Sequence, residues 1–117
     1  MSRPYRPVRE LEAHLDRGEL AFAIAIAKTV AGERVRPLEL ELTVRFLPLV
    51  AAQRPEAFDV WTLRWLERWC VELRGHASID DAVEVVRGLA EIPVDPDHAL
   101  GTIAAAAGWG GRRRQRP

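Results

Sequence analysis

Residues 38–46 read LELELTVRF, an alternation of apolar and polar residues strict enough for a half-buried strand. Taken with its flanks the stretch becomes PLELELTVRFLPLVAAQ (37–53), and a helical reading sorts it as well. Leu38, Leu42, Phe46 and Leu49 then form one stripe and Leu40, Val44, Leu47 and Ala51 another. Pro37 suits a first helical position, VAAQ continues the segment, and no second strand stands in the chain to pair with it. The reading taken is a helix kinked at Pro48, with the alternative of a strand at 38–46 that pairs across a dimer.

Outward from this stretch, glycine and proline punctuate the 117 residues into six segments of helical length. EAFDVWTLRWLERWCVELR (56–74) lies between Pro55 and Gly75 and has the clearest periodicity. Phe58, Trp61, Trp65 and Trp69 fall within a sector of about 80°, and Leu63, Leu66, Cys70 and Leu73 widen the apolar arc to about 200°. An arc that wide calls for partners on two sides. Its polar face carries Arg64, Glu67, Arg68, Glu72 and Arg74, with Arg68 and Glu72 spaced to attract.

VRELEAHLDR (8–17) spaces Val8, Leu11 and Leu15 helically and ends at Gly18; ELAFAIAIAKTVA (19–31) is apolar nearly all round, which predicts burial on all sides up to Gly32. Ser78 and Asp81 have the spacing of a capping box, opening a helix with Ile79, Ala82, Val83, Val86, Leu89 and Ala90 on one face. Pro93 closes it, and Asp95 or Asp97 caps a last helix over 97–107 with Leu100, Ile103 and Ala107 inward.

Short connectors between these segments predict an all-α fold, a compact bundle or short helical solenoid of about five to six antiparallel helices. The organisation expected is a flexible basic arm at 1–7, one helical domain at 8–107 and a flexible Gly/Arg-rich tail at 108–117. LDRGELAFAIAIAK (15–28) resembles half of a tetratricopeptide-type repeat, with Gly18, Ala23 and Ala27 at the small-residue positions. The resemblance covers one hairpin, and neither 37–74 nor 78–107 repeats it at the required spacing.

Composition narrows the function classes. With 48% hydrophobic and 29% charged residues the chain is outside the disordered regime. The longest apolar run, Leu20 to Ala27, is far short of the ~20 residues that span a bilayer, and the first residues lack the apolar core of a signal peptide. A cytoplasmic protein that engages no membrane is expected. Net charge is zero but uneven: Arg3, Arg6, Arg9, Arg112, Arg113, Arg114 and Arg116 sit at the two ends, leaving 10 basic against 17 acidic residues between them.

Chemistry-bearing groups are sparse. His14, His76 and His98 lie in different segments; the DPDH turn at 95–98 reads as a cap rather than a cation site, and Cys70 as a small buried hydrophobe. Phosphate-loop, nucleophile-elbow and zincin motifs are absent. Residues 79–107 have the outline of a helix-turn-helix, but its second helix offers only His98 and Thr102 to base edges. No catalytic residue, metal ligand or cofactor is therefore assigned. The expectation is a non-enzymatic interaction module that binds another protein or itself, a homodimer included, through Trp61, Trp65, Arg68 and Trp109 as anchors. The alternative is a nucleic-acid-associated or regulatory protein whose Arg112, Arg113, Arg114 and Arg116 contact phosphates.

Overall fold

The computed structural model describes residues 7–33, 38–73 and 76–109. Among them every regular element is helical: α1 (Pro7–Asp16), α2 (Leu20–Glu33), α3 (Leu40–Thr43), α4 (Phe46–Gln53), a 3-10 turn (Pro55–Ala57), α5 (Phe58–Glu72), α6 (Ile79–Glu91) and α7 (Pro96–Ala107). The all-α bundle expected from the punctuation is what the chain forms. Pro37, Gly75, Arg3, Arg6 and the tail arginines lie outside the described residues, and Pro7, placed in the arm, is the first residue of α1.

The deciding stretch is helical, but it breaks rather than kinks, and the break precedes Pro48. Arg45 and Leu47 donate backbone N–H groups only three residues back, to Leu42 and Val44, both at 3.1 Å. Pro48 has no N–H for the Val44 carbonyl and its ring needs that space, so the turn before it opens. In the first turn of α4 the missing donor costs nothing.

This segment partitions two cores. Leu40, Val44 and Leu47 are buried with Trp65, Trp69, Val85, Leu89, Ile92, Ala99 and Ile103. Leu38, Leu42, Phe46 and Val50 are buried with Leu11, Leu15, Leu20, Ala23 and Val30 of α1 and α2. The two stripes read from the sequence are thus the two faces of a wall, and its alternation reflects burial on opposite sides of a helix.

Backbone chemistry sets the turns. Gly18 adopts φ +73°, and its N–H and that of Glu19 return to the carbonyls of Leu15 (3.1 Å) and His14 (2.9 Å), closing α1 with a Schellman motif that favours glycine. Arg45 ties the partition back to α1 through Asp16 and, at 3.5 Å, Glu12; Gln53 Nε2 donates to the Gly18 carbonyl at 2.7 Å. Ser78 and Asp81 form the reciprocal capping box of α6, each bond 3.1 Å, and Asp95 accepts from the His98 N–H at 3.2 Å to cap α7. At Gly88, α6 and α7 approach so closely that a Cβ would sit 2.6 Å from Ile103 Cγ1.

Three expectations about burial are corrected. α6 buries Val85, Gly88 and Leu89, with Ile92 just beyond its end, and turns Ile79, Val83, Val86 and Ala90 outward. Its apolar arc spans roughly 220°, more than one neighbouring surface covers, and the approach at Gly88 selects the half that docks. α2 runs through Gly32 and is not buried all round: Phe22 is 63% exposed. Cys70 is exposed rather than buried, because α5 packs through Trp65 and Trp69 and leaves the Leu63 and Cys70 flank of its wide arc to solvent.

Candidate functional site

Where α2 and α5 stand apart over the partition, an open groove of about 440 Å³ remains. Ile24, Ala27, Lys28 and Ala31 of α2 form one wall; Trp61, Arg64, Trp65 and Arg68 of α5 form the other. Leu38, Thr43, Phe46 and Leu47 make the floor. The walls follow from helical spacing, each a run of residues three or four apart on one face. Small Ala27 and Ala31 opposite large Trp61 and Trp65 leave the space open.

The aromatic side is rigidly set. Trp61 stacks on Phe46 with ring centroids 5.9 Å apart. The Trp65 indole N–H donates to the Leu40 carbonyl at 3.2 Å and its ring meets Trp109 edge-on at 6.2 Å. Arg68 donates to the Leu38 carbonyl and pairs with Glu72, so it closes one end of the groove as a fixed cation. Lys28 and Arg64 differ from it: among the described residues neither has an ion-pair partner. Among the described residues no acidic side chain lines the groove, which there is an apolar surface rimmed by positive charge on a chain whose middle is acidic.

Of the residues singled out in the sequence, Trp61, Trp65 and Arg68 come together here. Trp109 does not; beyond Gly108, at φ +81°, it folds back onto Trp65 and the α6–α7 core. Arg112, Arg113, Arg114 and Arg116 lie outside the described residues. The α2 wall and Arg64 were not assigned from sequence. Lys28 was the available signal, a single lysine in an otherwise apolar run.

The other reactive groups are separate. His14 Nδ1 lies 2.6 Å from Glu19 Oε1 in the α1–α2 turn, and this hydrogen bond is the main reason the Glu19 carboxyl is held below its usual range. His98 Nδ1 meets Glu91 Oε1 at 2.8 Å across α6 and α7; that bond, then the Glu91 and Asp95 charges, raises the imidazole above its ordinary value. Cys70 lines one cleft with Trp69 and Leu73 and another with Leu63 and Val71, whereas His98 lines a third with Glu91. Among the described residues no three His, Cys, Asp or Glu side chains gather as a metal site, and no helix is long and apolar enough to cross a membrane. In comparisons with known proteins the chain matches no family model, no curated protein and no solved structure.

Proposed function

We propose that this chain is a non-enzymatic interaction module and that the α2–α5 groove is its working surface. The observation that carries the reading is an open apolar trough walled by two tryptophans and rimmed by two cations, Lys28 and Arg64, that have no ion-pair partner among the described residues. Its volume falls within the range of ordinary ligand pockets, and a helix laid into a groove contacts such walls through residues three and four apart. Trp61, half-buried and preset by Phe46, adds buried area at little cost in side-chain entropy.

The test is selection of a displayed library of amphipathic helical peptides against the full chain, followed by binding to Ala31→Arg. Ala31 is exposed at the groove's edge, so the arginine obstructs the trough without entering either core. Peptides that bind the native chain and lose at least about tenfold affinity for the variant support the reading. Peptides indifferent to the substitution, or none recovered, overturn it.

A second reading, phosphate binding by Arg112, Arg113, Arg114 and Arg116, is favoured by their clustering. It expects duplex DNA binding that weakens steeply with salt and disappears when the chain ends at Gly111.

A further inference from the structure

The groove carries positive charge on both of its rims. Lys28 rises from α2 on one wall and Arg64 from α5 on the other, and both are exposed. α2 places no carboxylate three or four positions from Lys28, and neither cation has an ion-pair partner among the described residues. Arg68 is already satisfied by Glu72 and the Leu38 carbonyl. Between the rims the lining is apolar, with Ile24, Ala27, Phe46, Leu47, Trp61 and Trp65 along the trough.

A helix laid between two walls turns its apolar stripe to the floor and one flank to each wall. With apolar residues at i, i+4 and i+7, position i+1 stands about 100° to one side and position i+6 about 120° to the other. Carboxylates on both flanks therefore meet a cation on each rim, whichever way the helix runs. Lysine or arginine in those places would face like charge.

We infer that the partner seated in the groove is an amphipathic helix of another protein, with acidic residues on both flanks of its apolar stripe. The inference rests on the groove reading above and names the chemistry of its partner. The outward stripe of this chain's own α6 does not fit that description. Ile79, Val83 and Val86 have Asp80 and Glu84 on one flank, but half-buried Ala82 and buried Val85 on the other.

The peptide selection against the full chain tests it once the recovered sequences are read. Peptides that lose affinity for Ala31→Arg are expected to carry Asp or Glu on both flanks and to bind less tightly as salt rises. Lys28→Glu and Arg64→Glu leave both cores untouched, and each should weaken such a peptide by about fivefold. Changing the acids of one flank to lysine should restore binding to one of these two variants and not to the other. Groove-binding peptides with neutral or basic flanks, or peptides that ignore both charge reversals, overturn the acidic-helix partner and leave the groove reading standing. So does a full chain that sediments at twice its own mass and loses that association in Ala31→Arg, which would seat a second copy in the trough. Peptides indifferent to Ala31→Arg, or none recovered, overturn the groove reading and this inference with it.

Discussion

Trp65 belongs to the core and to the groove at once. Its ring is 6% exposed and its N–H is satisfied by the Leu40 carbonyl, while one side borders the trough. Trp65→Ala is therefore expected to cost about 3–5 kcal/mol in urea denaturation, and a loss of binding in that variant would report folding. Trp61, half-buried against Phe46, is the cleaner probe of the surface. At His98 the raised pKa has a directional consequence. The Glu91 pairing stabilises the α6–α7 contact fully below the ordinary imidazole value, and its contribution fades as pH rises through the higher folded value. In an NMR titration Glu91→Gln should move the His98 midpoint down toward the ordinary value; an unchanged midpoint would show that another group holds the proton.

The α6–α7 pair is decided by the size of single side chains. Gly88→Ala places a methyl against Ile103 and the Ala99 carbonyl, 3.1 Å from the new Cβ, and is expected to cost about 1–3 kcal/mol. Gly101, in the middle of α7 with open space around it, should behave oppositely: Gly101→Ala gains about 0.5–1 kcal/mol by restricting the unfolded chain. Paired denaturation curves with shifts of opposite sign check both. The same contrast explains what could be read before the fold was known. Caps are local chemistry, so Ser78, Asp81, Asp95 and Gly18 announced their turns, and the stripes of 38–51 announced two faces. The docked half of α6 is a tertiary choice: an arc near 220° holds two equivalent faces, and only the approach at Gly88 distinguishes them. α2 misled for a related reason, since an apolar sequence does not reveal whether its last face meets protein or an open groove. Trp61, Trp65 and Arg68 were visible as one wall of the site; the opposite wall, 30 or more positions away in sequence, was not.

For the whole molecule the partition matters most. α3 and α4 contribute buried residues to both cores, and Phe58 and Trp61 pack against both. Loss of either core would strip one side of the partition, so the two should melt together. The four tryptophans all pack against the core shared by α5, α6 and α7, whereas far-ultraviolet circular dichroism follows every helix. Urea transitions by fluorescence and by circular dichroism should therefore share one midpoint. An earlier loss of ellipticity would mean that α1 and α2 detach first.

The partition also bears on how such a chain changes over evolutionary time. A protein assembled from separable halves can be shortened, duplicated or recombined at the joint, with each piece keeping its own interior. Here the joint is itself interior: cutting before Leu38 bares Leu42, Phe46 and Val50, and cutting after Gln53 bares Leu40, Val44 and Leu47. Inheritance of this fold is accordingly expected to be all or nothing, with insertions and fusions confined to its ends and outer turns.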